Sequence, residues 1–468
     1  MTHQVTDSPA DGGPAGHRRA LSRATRDCPR LLVISYHFPP DPAMGAMRWA
    51  GLTKYLAQLG WRVWVVTAAG GPDAVEGVSV ERCRPGRTAS DLYRWWRARV
   101  RKVAVGARGA GEDATDGREP TGPLARLRAE GAGVLALLSE GRGWALRAAL
   151  RARRVIRRVR PHVIVSSSPP VAAHLAAWLA TRGLETPWLV DLRDPWAGPV
   201  SRGFRAHPFM RSRLAWAATV RLERLVLGAA TGIITTTPEL AEVLRARHPR
   251  STVTWLRNGA DRQSLPDCNE RPYAGLSIAH VGALYGGRSL SLVLRALRLF
   301  LERHPEAAVD DTRLRSAGYA DAARTTALQQ EITALQLERH VELLGVISRA
   351  AALDLVASSR LVVVLAQDQE PQIPGKLYEG LAIGVATVAI TTPDSATGRE
   401  ASRLGVAVVE PNDVEAMVAV LEAVWADGGA GLRRRQTAVD YRDLAASVSS
   451  LLSAVAVMPS YLPPLRRQ

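Results

Sequence analysis

Short apolar runs alternate with helical patterns along most of the chain. Near the start, residues 31–35 are a run of strand-forming residues, 37–45 form a loop with proline and glycine, and 47–59 show a helical pattern. A second apolar run begins at Arg62. A strand, a helix and a second strand in this order predict a βαβ unit, which requires a parallel sheet.

The same alternation recurs in two series. In the first series, further strands are predicted at 162–166, 187–190, 232–235 and 253–256. A polar, proline-bearing stretch follows at 265–272, and we place the domain linker there. In the second series, strands are predicted at 277–281, 313–317, 341–344, 361–366, 386–390 and 406–409. Two such series predict an α/β protein with two Rossmann-like, doubly wound parallel-sheet domains facing each other across a cleft.

These patterns divide the chain into four parts. Residues 1–29 are polar and are predicted to be a disordered tail, 30–264 an N-terminal domain and 265–440 a C-terminal domain. Residues 441–468 are predicted to be a tail or helix that could pack back on the N-terminal domain. Within the first domain, residues 104–123 contain almost no large apolar side chain, which indicates a mobile insertion.

Length and composition narrow the class of protein. A chain of 468 residues is too long for one hydrophobic core, in agreement with two domains. Its three cysteines are far apart, which disfavours a disulfide framework or a zinc site and fits a reducing compartment. The sequence has no apolar run typical of a secretory signal or of a membrane span. We therefore expect a cytoplasmic protein, or one bound peripherally to the inner face of the cell membrane.

The charge is strongly basic, with 61 Lys and Arg against 44 Asp and Glu and a formal net charge of +17. Such a surface attracts phosphates, acidic lipid headgroups or nucleic acid. Residues 93–102 mix aromatic side chains with arginine, and 142–160 contain arginines but no acid. These segments fit either an anionic membrane surface or a solvated basic helix face. Nucleic acid is disfavoured because no nucleic-acid-binding motif is present.

Ligands of open α/β sheets bind beyond the carboxyl ends of the strands, and the first candidate segment there is residues 39–45. Gly45 lets the backbone approach a ligand closely, and a helix that begins near it aims free N–H groups at an anion. An ordinary βα turn explains the same residues equally well. The segment contains no Gly-x-Gly-x-x-Gly motif, which disfavours a dinucleotide cofactor.

Two further candidate segments follow predicted strands. Residues 191–196 place Asp191, Arg193 and Asp194 at the end of one strand. The cluster either has a function or is a structural ion-pair corner, and Asp191 is the residue that best fits a purely structural role. Residues 282–289 combine paired glycines with Arg288, whose guanidinium can clamp a phosphate through two hydrogen bonds. A glycine turn with a solvated arginine is the alternative for that segment.

The fourth candidate segment, residues 370–384, is the most specific. Pro374 suits a first helical position, and the amides of the next residues would then point at an anion. Lys376, one of only three lysines in the chain, adds a positive charge. Glu379 lies one turn further on, where a carboxylate can accept hydrogen bonds from a sugar diol. This arrangement fits the pyrophosphate and ribose of a nucleotide, whereas the alternative is a solvated helix face.

The order and spacing of six motifs resemble the GT4-like, group 1 family of GT-B glycosyltransferases over residues 31–425. The motifs are Tyr36-His37-Phe38-Pro39-Pro40 with Gly45, Ser168-Pro169-Pro170, Arg193-Asp194-Pro195-Trp196, Asn258-Gly259-Ala260-Asp261, Gly282-Ala283-Leu284-Tyr285 with Arg288, and Pro374-Gly375-Lys376-Leu377-Tyr378-Glu379.

The resemblance implies a hexosyltransferase that moves a sugar from a nucleotide-diphosphate sugar, such as a UDP- or GDP-sugar, to an acceptor hydroxyl. The acceptor would be a sugar, a lipid-linked or a small molecule, as in polysaccharide, glycolipid or glycoconjugate synthesis. Reaction with retention, without a metal and without a cofactor besides the co-substrate, is also implied. Glu379 would hold the donor ribose, and Arg288, Lys376 and Gly45 the diphosphate. The implied donor-binding set is Gly45, Gly282, Arg288, Glu370, Ile373, Pro374, Gly375, Lys376, Leu377 and Glu379.

The chain departs from the family pattern in two places. The first Glu of the Glu-x7-Glu motif would stand at position 371, which is Pro371, with Glu370 one residue before it and Gln372 after it. Where many relatives have a histidine, this chain has Arg193 and Asp194. We take these two as the catalytic candidates and hypothesise that Asp194 orients the acceptor hydroxyl or the donor sugar.

Two other classes of function remain open. The first is a non-catalytic GT-B partner of another transferase. The second is a different reaction on the same scaffold, by a sugar-nucleotide epimerase or a phosphorylase. A phosphorylase would need a lysine for pyridoxal phosphate, and Lys376 is the one candidate in the second half of the chain.

Overall fold

The structure is a computed structural model, and it describes residues 28–41, 43–68, 70–72, 75–86, 130–131, 141–197, 212–268, 273, 275–309 and 311–457. Most of the predicted N-terminal tail, the predicted insertion at 104–123 and the aromatic and basic segment 93–102 lie outside the described residues, as do residues 458–468.

The first domain contains a seven-stranded sheet in which all neighbouring strands are parallel, in the order β3-β2-β1-β4-β5-β6-β7. The strands are β1 (Arg30–Ser35), β2 (Arg62–Thr67), β3 (Val78–Arg82), β4 (Val163–Ser168), β5 (Trp188–Leu192), β6 (Gly232–Thr235) and β7 (Val253–Trp255). The chain reverses its direction of travel across the sheet between β1 and β4, so the loops after these strands open onto a crevice. β3 was not predicted from the sequence, because this edge strand is mostly half-buried and has only two apolar residues, Val78 and Val80.

Helices cover both faces of the first sheet. They are α1 (Met44–Gln58), α2 (Arg142–Val159), α3 (Ala172–Thr181), α4 (Arg213–Gly228) and α5 (Pro238–Arg247). Buried residues of α2 to α5 form one hydrophobic cluster with the sheet, whereas those of α1 belong to a cluster on the opposite face. The central strands β4 and β5 are buried throughout, as expected for a parallel sheet covered on both sides.

The second domain contains a six-stranded parallel sheet in the order β10-β9-β8-β11-β12-β13. Its strands are β8 (Ser277–Val281), β9 (Arg313–Ala317), β10 (Val341–Gly345), β11 (Leu361–Leu365), β12 (Ala386–Ile390) and β13 (Ala407–Val409). Its helices are α6 (Ser291–Arg303), α7 (Pro305–Val309), α8 (Ala322–Ala334), α9 (Arg349–Ala357), α10 (Gly375–Ile383), α11 (Ala396–Arg403), α12 (Val414–Asp427) and α13 (Ala430–Arg435). The direction reverses between β8 and β11, which places the loops after these two strands at a second crevice.

The last helix, α14 (Tyr441–Val457), packs on the first domain against α1. Gly51 makes this contact possible, because a Cβ atom at that position would overlap the ring of Tyr441. The Tyr441 hydroxyl donates to Oδ1 of Asn258 at 2.6 Å, and its N–H donates to the carbonyl of Ala260 at 2.9 Å. The end of the chain is therefore anchored to the segment that joins the two domains. None of the helices in the described ranges is long and apolar enough to cross a membrane.

Candidate active site

A buried polar network fixes α1 to the first sheet. Asp191 on β5 is completely buried and accepts hydrogen bonds from Trp49 Nε1 at 2.7 Å and Ser167 Oγ at 2.8 Å. Arg48, also buried, lies 3.3 Å from the same carboxylate and donates to the carbonyls of Leu256 and Arg257. Asp191 therefore joins α1, β4 and β5 in the interior, whereas Asp194 lies beyond the strand end at the cleft.

The amino ends of α1 and α10 meet across the cleft. A Cβ atom on Gly375 would lie 2.6 Å from Cε of Met44, so the absence of a side chain allows the two helices to approach. Each helix start carries partial positive charge and free N–H groups, so the space between them favours an anion. The prediction for Pro374 was wrong by one position: it precedes the helix, which begins at Gly375, because its ψ of 130° is extended.

Two cations enclose the carboxylate of Glu379. Lys376 Nζ lies 2.7 Å from Oε2 and Arg349 Nη2 lies 2.7 Å from Oε1. Burial alone would raise the pKa of Glu379, but the two cations hold it below its usual range. Arg349 was not predicted from the sequence, since it belongs to α9 and reaches Glu379 only in the folded domain; its position just after β10 was the one available signal.

A cavity of about 400 Å³ lies between the domains beside these cations. The second domain lines it with backbone at Gly282 and Gly318, with Val346 and Ile347, and with Arg349 and Lys376; the first domain contributes Asp41, Ala43 and Met44. Gly318 has a φ of +150°, and a side chain there would overlap the carbonyl of Gly282. The volume is within the range of small-molecule sites, and its lining combines apolar walls with few charges.

The loop after β8 places Arg288 at the same cleft. Its Nη2 donates to Gln369 Oε1 at 2.7 Å, and its guanidinium lies 4.6 Å from the ring centre of Tyr285. His280 on β8, which was not among the predicted site residues, is buried nearby, and its Nδ1 lies 2.9 Å from Ser316 Oγ. Burial together with Arg288 and Lys376 lowers the pKa of His280 to about 3, so it is neutral at physiological pH.

The catalytic candidates of the first domain face this cleft. Arg193 is buried and donates through Nε to the carbonyl of Ser168, while its Nη2 has no hydrogen-bond partner in the described part of the chain. That nitrogen would be 3.2 Å from a Cβ atom on Gly45, so Gly45 leaves room beside the guanidinium. Asp194 accepts a hydrogen bond from Gln372 of the second domain. Burial raises the pKa of Asp194, although Arg193 and Arg288 oppose the rise.

Three predicted donor-site residues are placed differently from the rest. The Glu370 side chain is exposed and lines a separate cavity of about 360 Å³ with Arg295, Thr392 and Asn412. Leu377 is completely buried in the core of the second domain, so only its backbone could reach a ligand. Ile373 is half-buried and packs on the same core. In the described ranges, no group of three or more His, Cys, Asp or Glu is placed to hold a metal ion.

The buried histidines predict acid sensitivity of the fold. His174 and His280 both have a pKa lowered to about 3, mainly by burial, against 6.5 for an ordinary histidine. Between these values the unfolded chain binds more protons than the folded one, so stability is complete above pH 6.5 and falls as the pH decreases. Each histidine contributes a slope of about 1.4 kcal/mol per pH unit.

The His174→Asn variant, which can keep the hydrogen bond to Ser166 Oγ, tests this dependence. We expect urea unfolding midpoints to decline less steeply below about pH 6 in the variant than in the wild type, because one titrating group is gone. Equal slopes for the two proteins would contradict the prediction. The exposed Arg250→Ala variant, which removes no histidine, serves as the control.

Both domains match models of known protein families. Residues 85–259 match the model described as a glycosyl transferase 4-like domain, and residues 276–427 match that of the glycosyl transferases group 1. No curated protein matches the chain by sequence.

Solved structures with the same fold cover nearly the whole chain. Sucrose-phosphate synthase from Thermosynechococcus elongatus has a TM-score of 0.55 and 15% identity, over 92% of this chain and 99% of its own. Anabaena HepE, in complex with UDP and glucose, has a TM-score of 0.54 and 14% identity, over 91% and 99%. A glycosyltransferase from Rickettsia africae has a TM-score of 0.52 and 12% identity, over 92% and 99%.

The chain belongs to the GT4-like, group 1 glycosyltransferases and has the GT-B fold. The predicted family and fold class are thereby confirmed.

Proposed function

We propose that the protein transfers a hexose from a nucleotide-diphosphate sugar to an acceptor hydroxyl. The observation that carries the proposal is the convergence of the α10 amino end, Lys376 and Arg349 on Glu379 beside the interdomain cavity. A diphosphate would take the place next to the helix start and the cations, and the ribose diol would donate to Glu379. Structures of the HepE relative contain UDP and UDP-glucose, so uridine donors are the first to test.

The chemical step requires stabilisation of the charge that develops on the leaving diphosphate. Lys376, Arg288 and the facing amino ends of α1 and α10 supply fixed positive potential there, which supports a reaction that needs no metal ion. Gly45 and Arg193 bring further donors from the first domain. Asp194 is the carboxylate that would orient the donor sugar or the acceptor hydroxyl. Retention of the anomeric configuration is part of the proposal, by resemblance to the family.

Ligand-dependent thermal stability tests the donor site. A ligand at about 100 times its Kd stabilises the native state by about 2.7 kcal/mol. We expect one nucleoside diphosphate among UDP, GDP and ADP, and its nucleotide sugars, to raise the Tm of the wild type, with or without EDTA. Glu379→Gln should lose this shift, because the ribose loses its anionic acceptor and Lys376 and Arg349 lose the carboxylate that positions them.

The exposed Glu338→Gln variant is the matched control and should retain the shift. If no nucleotide stabilises the wild type, the protein is better explained as a non-catalytic partner of another transferase. If EDTA abolishes the shift, the metal-independent mechanism is wrong while the donor site remains.

The face of the first domain formed by α2, α3 and α4 supports a lipid-linked acceptor at an anionic membrane. On α2, Leu146 and Leu150 are exposed by 61% and 56%, and on α4, Leu214 and Leu225 by 67% and 55%. Exposed arginines surround these leucines on both helices: Arg147, Arg154, Arg157, Arg158, Arg213, Arg221 and Arg224. Leucines among cations on one side of a domain suit the headgroup region of an anionic bilayer.

Vesicle co-sedimentation distinguishes a membrane-binding surface from a solvated basic helix face. We expect the wild type to bind phosphatidylglycerol vesicles at low salt and phosphatidylcholine vesicles weakly. The Leu146→Glu/Leu150→Glu variant should lose most of the binding, whereas Leu59→Glu, at a leucine that is 52% exposed at the end of α1, should keep it. No binding of the wild type to anionic vesicles at low salt would remove the membrane from the proposal.

A further inference from the structure

The loop after β11, residues 366–374, extends one polar side chain across the cleft. Gln372 Nε2 donates to Oδ1 of Asp194 in the first domain. The backbone of Gln372 is fixed on both sides: its N–H donates to the carbonyl of Gln369 at 3.0 Å, and its carbonyl accepts from Thr397 Oγ1 at 2.8 Å. Gln372 is only 9% exposed. These backbone hydrogen bonds therefore fix the position from which the Gln372 side chain donates to Asp194.

The acidic side chains of the same loop line a different cavity. Asp368 and Glu370 are exposed and line the separate cavity of about 360 Å³. Pro371 offers only its carbonyl, which accepts a hydrogen bond from Thr237 Oγ1 at 2.7 Å. Within this loop the second domain therefore presents an amide to the cleft, and the carboxylate beside that amide is Asp194 of the first domain.

Asp194 retains capacity to bind a ligand. In the described part of the chain Gln372 is its one hydrogen-bond donor, and that bond occupies Oδ1, so Oδ2 can accept from another group. The charged groups that face the carboxylate are Arg193 from its own loop, Arg288 from the loop after β8, and Asp191 from β5. Arg288 is itself positioned by Gln369, so two glutamines of one loop orient a cation and an anion towards one region of the cleft.

We propose that Asp194, held by Gln372, is the carboxylate that binds the hydroxyl groups of the donor sugar. The assignment rests on the proposed transferase function. Because Asp194 belongs to the first domain and the nucleotide contacts belong mainly to the second, recognition of the sugar is completed only when the domains are together. Gln372 is a positioning residue, which fixes the carboxylate through one amide hydrogen bond.

Calorimetric binding of two ligands tests the assignment without a known acceptor. The ligands are the nucleoside diphosphate that stabilises the wild type and the corresponding nucleotide sugar. In Gln372→Ala and Asp194→Asn we expect the affinity for the diphosphate to stay within about twofold of the wild type. The affinity for the nucleotide sugar should fall by about tenfold or more, as is typical when a hydrogen bond to a charged group is lost.

Arg399→Ala is the control for domain contact. Arg399 lies 2.7 Å from Glu239 of the first domain, and the variant removes this ion pair across the same interface without touching Asp194. It should preserve both affinities. If it weakened nucleotide-sugar binding as much as Gln372→Ala, the effect would belong to general domain contact and the assignment of Asp194 would be overturned.

The Gln372→Glu variant is expected to change how nucleotide-sugar affinity depends on pH. In the wild type, nucleotide-sugar affinity should fall as the pH decreases through the pKa of Asp194, because the protonated carboxyl accepts fewer hydrogen bonds. In Gln372→Glu two carboxylates meet, and they repel until one binds a proton. Its affinity should therefore rise as the pH decreases. Parallel pH profiles for the two proteins would contradict the positioning role.

If the wild type binds no nucleotide, the proposed function is wrong, and the role of Asp194 with it. If the diphosphate binds and depends on Lys376, but Gln372→Ala and Asp194→Asn keep the wild-type affinity for the nucleotide sugar, the donor site stands and the sugar-binding role of Asp194 is overturned.

Discussion

The Lys376→Ala variant is expected to lose transferase activity by about 10²–10³-fold in kcat, the usual effect of removing one preorganised group that stabilises developing charge. Lys376 stands in the first turn of α10 and pairs with Glu379 at 2.7 Å, so its ammonium adds to the positive potential at the helix start. In the variant the leaving diphosphate would face the helix amides, Arg288 and Arg349 without this charge.

Activity is measured as release of the nucleoside diphosphate from the nucleotide sugar that the wild type binds, with water as acceptor until the natural acceptor is known. Arg250→Ala, at an exposed arginine outside the cleft, should leave the rate unchanged. Lys376→Arg keeps the charge and should recover part of the activity. A rate for Lys376→Ala within about threefold of the wild type would contradict the role of Lys376, since the expected loss is far larger.

The Asp191→Ala variant is expected to have the largest effect on stability. Arg48 is 1% exposed and would keep its charge in the interior with no counter-ion, and Trp49 Nε1 and Ser167 Oγ would lose their acceptor. Removing one partner of a buried ion pair costs about 3–5 kcal/mol. For domains of this size such a loss lowers the Tm by about 6–20 °C.

Asp194→Asn is the matched comparison, because Asp194 is three residues further along, beyond the strand end. It should change nucleotide-sugar binding but leave the Tm within about 2 °C of the wild type, the shift expected for less than 1 kcal/mol. Arg48→Met combined with Asp191→Leu should regain part of the lost stability, because it removes both charges together. An unchanged Tm for Asp191→Ala would show that the network is not a structural anchor.

The sequence by itself determined the architecture and the family. The strand-forming run at 361–365 is short, continuous and apolar, because both faces of a parallel sheet are buried, and this local property was readable without a structure. The segment from Pro374 to Glu379, which we propose binds the donor, was also readable, because its residues are consecutive in the chain, at and just before the start of α10. The edge strand β3 was not, since half-buried residues carry a weak apolar signal.

Only the tertiary structure shows which charged residues hold the fold together and which lie at the proposed binding site. Asp191 was expected from the sequence to be the more structural of the two carboxylates, but only the structure shows that Arg48 and Trp49 enclose it while Asp194 lies at the cleft opposite Gln372. Likewise, Glu370 is exposed and lines a different cavity, while Arg349 reaches Glu379 from another helix. The physical reason is that burial and charge pairing depend on segments far apart in the chain, such as Arg48 and Asp191, which are 143 residues apart. The spacing of neighbouring residues in the sequence does not show these contacts.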